Sequence, residues 1–156
     1  AKLIDKDIGI YIIGGNPTPD YISHKEKMKL ENVHFIGFKS KEELKKYYMA
    51  ADLFVLPTRE DIWGLVINEA MANGLPVITT DKCIAGLELI ENDENGFIVP
   101  VEDDRILASR IKQIFESESR REEMGRTSLS KIQKYTIENM VKVHLDVYDK
   151  HLKQKH

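Results

Sequence analysis

Asp61 and Glu69 are separated by seven residues, Ile62 to Asn68, with Trp63-Gly64 between them. Carboxylates repel phosphate but accept hydrogen bonds from alcohols, so acids at such a spot suit the hydroxyls of a sugar. Gly64 adds the complementary chemistry. The residues after it are helix formers, and a helix start presents unpaired N–H groups with the positive end of the helix dipole. A glycine there lets a phosphate approach the backbone closely. The residue types alone leave a second reading open. Glu69 lies among Leu65, Val66, Ile67, Ala70, Met71 and Ala72, where a carboxylate needs a partner. In that reading it meets a buried Arg or a backbone donor, and Asp61 only caps the helix.

Both acids need elements to aim them. Leu53-Phe54-Val55-Leu56 reads as a strand buried on both faces, stopped by Pro57, which cannot donate to a ladder. A polar loop, Thr58-Arg59-Glu60-Asp61, leads to the helix, which Gly74 and Pro76 punctuate at its end. Val77–Thr80 is the next strand. In open α/β sheets ligands bind beyond the carboxyl ends of the strands, where this loop lies.

Elsewhere the chain repeats the alternation. Ile8–Ile13 reads as a strand ending in Gly14-Gly15-Asn16-Pro17, which is no GxGxxG and by itself is a turn. A charged surface helix follows from Tyr21 to Glu31, then a strand over Val33–Phe38 in which His34 is a partly buried structural residue. Ser40 with Glu43 forms a capping-box pattern for a helix reaching about Ala51, with Leu44, Tyr47, Tyr48 and Ala51 as its buried stripe. Beyond Val77–Thr80 come the loop of Cys83, an Asn95-Gly96 turn and a last strand, Phe97–Val99. Asp103 or Asp104 can cap a helix striped by Ile106, Leu107, Ile111, Ile114 and Phe115. Helical sequence runs on from Arg120, and Thr136 with Asn139 opens a final helix. The order predicts a doubly wound, mostly parallel α/β sheet with extra C-terminal helices.

Composition narrows the function classes. At 156 residues the chain is one domain by size. Its 42% apolar and 31% charged residues are those of a soluble globular protein, and a net charge of -3 with interspersed signs argues against nucleic acid. Cys83 is the single cysteine, which fits a reducing compartment, and without an activating base it reads as a packing residue. No apolar run is long enough to span a membrane, so a cytoplasmic location is expected. Asp5-Lys6-Asp7 matches a metal-binding DxD, but it precedes a strand at the end away from the expected cleft and reads as solvated surface. His144, His151 and His156 lack metal-site spacing. No metal is expected.

From Asp61 to Ile78, the run DIWGLVINEAMANGLPVI closely resembles the signature of the group 1 (GT4-type) glycosyltransferases of GT-B fold. That signature has two acids seven residues apart, an aromatic-Gly between them, Glu-Ala-Met-Ala and Gly-Leu-Pro-Val. The family more often has Glu where this chain has Asp61. The resemblance implies a Rossmann-like C-terminal domain that binds a nucleotide-sugar donor such as a UDP- or GDP-sugar. It makes Asp61 and Glu69 the catalytic-site acids, with Glu69 on the ribose hydroxyls and Asp61 on the transferred sugar. The amides around Gly64, Leu65 and Val66 would receive the diphosphate, beside Trp63; Arg59 lies in the same loop and either meets a phosphate or pairs with Asp61 or Glu60. It also makes Gly14 a donor-cleft residue, and Gly37, Phe38 and Lys39 candidate contacts to the base. Gly86-Leu87-Glu88-Leu89-Ile90 resembles the family's next element, a Gly-x-x-Glu-like helix start that can face the donor.

The same resemblance implies what lies outside these residues. The chain is expected to be the donor-binding fragment of a two-domain enzyme, without the N-terminal domain that takes a glycan or lipid-linked acceptor. It is also expected to lack the first strand of its own domain, which in the family carries an Arg and a Lys; Lys2 and Lys6 precede the first strand found here and fit neither. Any membrane association would come through the absent part. Transfer would retain anomeric configuration and would not occur in the fragment alone. Two rivals remain: another GT-B sugar-nucleotide enzyme (epimerase or phosphorylase), and a non-catalytic α/β nucleotide-binding or signalling module. A receiver-like module fits poorly, because its acidic pair should follow the first strand, where Gly14-Gly15 stand.

Overall fold

A computed structural model describes residues 7–153. Asp5, Lys6, Lys2 and His156, weighed above, lie outside the described residues. The element order is β1 (Ile10–Ile13), α1 (Pro19–Lys27), β2 (Val33–Ile36), α2 (Lys41–Ala50), β3 (Phe54–Leu56), α3 (Leu65–Ala72), β4 (Val77–Thr80), α4 (Ile84–Leu89), β5 (Gly96–Val99), α5 (Asp104–Phe115), α6 (Glu118–Ile132) and α7 (Ile137–Lys153). The expected alternation is present, with helices extending beyond the last strand.

All strand pairs among the described residues are parallel. They form two separate ladders, β1-β2 and β3-β4-β5. The second ladder is the better covered. Every residue of β4 is buried, whereas β1 leaves Tyr11 and Ile12 about half exposed. Two apolar clusters sandwich the three-stranded sheet. Ile67, Met71, Val77, Cys83 and Leu89 centre one, with Trp63 packed against it. Ile78, Phe97, Val99, Ile111, Ile114 and Met124 form the other. Strands that alternate between two covered faces have no polar side, which is why they read as continuous apolar runs.

Local chemistry sets most helix boundaries. Ser40 and Glu43 complete the capping box at the start of α2, Asp103 caps α5, and Thr18 caps α1, which begins at Pro19, two residues before the expected start. His34 departs from expectation: it is exposed and stacks on Tyr11 across the β1-β2 ladder, at 4.8 Å between ring centroids. Its strand is covered only partly, so alternation put the ring outward rather than into a core. Cys83 is fully buried, as a packing residue should be. Close backbone approach fixes two glycines. A Cβ on Gly96 would sit 1.8 Å from the Val77 carbonyl oxygen, and one on Gly125 would sit 2.2 Å from that of Gly74.

Candidate functional site

The loop from Pro57 to Gly64 leaves the carboxyl end of β3 and is stapled to the segment after β4. Thr79 Oγ1 donates to the Leu56 carbonyl and Thr80 Oγ1 to that of Thr58. Asp61 N–H donates to the Lys82 carbonyl, Ile84 N–H to that of Asp61, and Ala85 N–H to that of Trp63. Each bond ties the loop to a strand end or helix start already packed in the core, so the loop's shape is set before any ligand arrives.

The turn into α3 is the unusual feature. Gly64 adopts φ +87, a left-handed conformation that L side chains rarely take, and it is buried. A Cβ there would lie 2.8 Å from Cys83 Sγ and 3.6 Å from Asp61 Cγ, so the aromatic-Gly step and the buried cysteine fit one another. Thr18, Ser40, Asp103 and Ser117 each cap a helix with a side-chain oxygen; α3 has no side-chain cap. Its first amides are left to another acceptor.

Asp61 stands beside that helix start. One carboxylate oxygen accepts from the Trp63 N–H at 3.1 Å, closing an Asx turn. The capping half of the second reading is thus partly realised, although the bond shapes the loop and does not cap α3. Trp63 is held in turn by its indole N–H, which donates to Asn68 Oδ1 at 3.1 Å.

Glu69 is exposed, not sunk among its apolar neighbours. Its place on α3 turns the carboxylate away from the face carrying Ile67, Ala70 and Met71, so the desolvation that the local sequence suggested is small. Among the described residues neither a buried Arg nor a backbone donor holds it. The phenol of Tyr48 on α2 donates to Glu69 Oε2 at 3.1 Å. Burial, and then the Glu69 charge and hydrogen bond, push the Tyr48 hydroxyl well above its ordinary value of 10.0, so it remains a donor at any physiological pH. Among the described residues neither Asp61 nor Glu69 is in an ion pair.

The other candidates are placed more loosely. Leu65 is exposed and Val66 half-buried, both in the first turn of α3. Arg59 pairs with Glu102 at 2.7 Å, both side chains exposed, and not with Asp61 or Glu60. Gly14 has φ +136 with open space around it at the carboxyl end of β1, and Gly37 with the well-exposed Phe38 follows β2. Gly86 packs on Thr79, and Glu88 accepts from the Tyr135 hydroxyl. Sequence reasoning missed Tyr48 as the partner of Glu69. Its only signal was membership of the apolar stripe of α2, which says nothing about a carboxylate 21 residues on.

A parallel α/β domain with a glycine-initiated helix that has no side-chain cap, at a strand's carboxyl end, and two acids beside it, belongs to the Rossmann-like class. The particular family follows from comparison. The family model described as glycosyl transferases group 1 matches residues 1–131, and the chain belongs to that family. It is 32% identical over 126 residues to spore coat protein SA of Bacillus subtilis (strain 168), covering 78% of this chain and 33% of that protein. Against the capsular polysaccharide biosynthesis glycosyltransferase CapM of Staphylococcus aureus it is 29% identical over 128 residues, covering 81% and 33%. Among solved structures, a mutant of S. aureus TarM in complex with fondaparinux, alpha-GlcNAc-glycerol and UDP superimposes with a TM-score of 0.83 at 25% identity, covering 95% of this chain and 31% of that one. The chain thus spans about a third of the length of the curated relatives it matches. The GT-B glycosyltransferase assignment of the fold stands. Among the described residues no helix is long and apolar enough to cross a membrane.

Proposed function

We propose that this chain is the donor-binding part of a glycosyltransferase, taking a nucleoside-diphospho-sugar. The observation that carries the reading is the left-handed Gly64 turn, which starts α3 without a side-chain cap between Asp61 and Glu69. The amides of Gly64, Leu65 and Val66 take the diphosphate, where backbone dipoles stabilise the charge that grows on the leaving group. This gives the diphosphate to amides and not to a metal ion. Glu69, with Oε2 held by Tyr48, offers its other oxygen to the ribose hydroxyls. Asp61 keeps one oxygen on the loop and turns the other to the transferred sugar. Gly14, Gly37 and Phe38 lie at the ends of β1 and β2, where a base would extend. Arg59 reaches phosphate only after leaving Glu102. Transfer, with retention at the anomeric carbon, needs an acceptor domain from the longer polypeptide, so the 156-residue chain binds donor but does not turn it over.

Thermal melting of the purified chain with UDP and with GDP tests this, since a ligand that binds only the native state raises the midpoint. Glu69→Ala should weaken nucleotide binding by about 1–3 kcal/mol through loss of charge-assisted hydroxyl bonds. No midpoint shift with either nucleotide at millimolar concentration, or an unchanged affinity in the variant, would remove the basis for the assignment.

A further inference from the structure

Tyr48 lies on α2 and belongs to the apolar cluster that holds Ile67, Ala70 and Met71 of α3. Its ring is tilted against Phe54 of β3, at 5.7 Å between centroids, and the residue is 7% exposed. A phenylalanine would fill the same space. The hydroxyl is the part that packing does not require, and it donates to Glu69 Oε2 at 3.1 Å.

The two ends of this bond have different needs. Glu69 is exposed, so water would satisfy its carboxylate as well as a phenol does. The phenol gives up part of its hydration to reach that carboxylate. Such a bond adds little to folding, but it does fix a conformation. A glutamate on the solvent side of a helix turns freely about several side-chain torsions, and among the described residues no ion pair restrains this one. Asp61 is treated alike by another route, with one oxygen accepting from the Trp63 N–H at 3.1 Å. The acids on either side of the Gly64 turn are thus each held through a single oxygen. A side chain that is ordered only when its ligand arrives weakens binding by the entropy it then loses; one ordered beforehand does not.

We propose that Tyr48 is the positioning residue for the ribose contact: its hydroxyl holds Glu69 in one rotamer before a nucleotide arrives and turns Oε1 toward the sugar hydroxyls. The assignment rests on the donor reading above and deepens it, by making the preference for ribose depend on a residue buried in the core. It also ties that preference to α2, whose start is fixed by the Ser40 and Glu43 capping box. A nucleotide without ribose hydroxyls gives Glu69 nothing to bind, so its affinity is indifferent to how Glu69 is held.

Tyr48→Phe keeps the ring and removes the bond. Calorimetric titration reads its effect, with UDP or GDP, whichever binds the native chain more tightly, and with the 2′,3′-dideoxy form of the same nucleotide. The variant should bind the ribonucleotide roughly three- to tenfold more weakly, the range expected when one side chain must be ordered on binding. The dideoxy form should bind native chain and variant equally. In a Glu69→Ala background Tyr48→Phe should have no further effect, because Tyr48 acts only through that carboxylate. Binding of neither UDP nor GDP to the native chain would overturn the donor reading and this assignment with it. Ribonucleotide binding that Tyr48→Phe leaves unchanged, or weakens equally for the dideoxy form, would overturn the assignment of Tyr48 alone. Vicinal side-chain couplings of Glu69 in the free chain give a readout that needs no nucleotide. They should report a single rotamer in the native chain and averaging in the variant, and averaging in both would sink the proposal.

Discussion

The block from β3 to β5 and the β1-α1-β2 unit use the same alphabet and reach different ends. Both are parallel strands joined by a helix. In the first, β4 has a strand on each side and helices on both faces, so even Thr79 and Thr80 are buried, each with its hydroxyl bonded to a carbonyl. In the second, β1 has one neighbour and α1 has no buried residue, so Tyr11 and Ile12 stay in water. An apolar strand is buried by what is laid against it, not by its own composition. The candidate site belongs to the first region through Asp61, Gly64 and Glu69, and borrows from the second only Gly14, Gly37 and Phe38. The contacts proposed for phosphate and hydroxyls thus fall on the more deeply buried part, and those proposed for the base on the part that is covered least.

The contrast can be broken most directly in the two cores. Phe97→Ala, at a fully buried position, should cost about 3–5 kcal/mol of unfolding free energy in urea. Tyr11→Ala in the same chain should stay within about 0.5 kcal/mol, as exposed changes do. Comparable losses at both would show that β1 is packed as tightly as β5. A subtler pair compares glycines. Gly96→Ala drives a methyl into the Val77 carbonyl and should cost about 1–3 kcal/mol or more. Gly15→Ala meets open space and should be close to neutral.

The smallest effect concerns the capping box on α2, which carries Tyr48 to Glu69. The Ser40 backbone N–H, then the Ser40 hydroxyl and Lys39, hold the Glu43 carboxyl below its ordinary value of 4.5. A folded value below the unfolded one adds stability above pH 4.5 that is lost as pH falls through the lowered value. The start of α2, followed by the Ser40 and Glu43 amide signals, should therefore loosen in acid. Glu43→Gln should abolish that dependence, and its persistence would place the titration elsewhere.

How much was legible in the sequence follows from how local each feature is. The alternation of strands and helices, the capping box and the Gly64 turn rest on residues within a few positions of one another, so propensity and punctuation suffice. Family resemblance supplied the roles of Asp61 and Glu69 before any geometry. The burial expected for Glu69 was not legible, because neighbours in sequence are not neighbours on a helix face. His34 failed for a related reason: its surroundings depend on what covers the other side of β1.

The sequence by itself determined the elements and the residue types gathered at the turn into α3, since hydrogen-bond caps, turn residues and apolar runs act over a few residues. Only the tertiary structure decided that Tyr48 holds Glu69, that Arg59 goes to Glu102, and that the strands part into two ladders. Those outcomes turn on distances between segments far apart in the chain, and no local propensity encodes them.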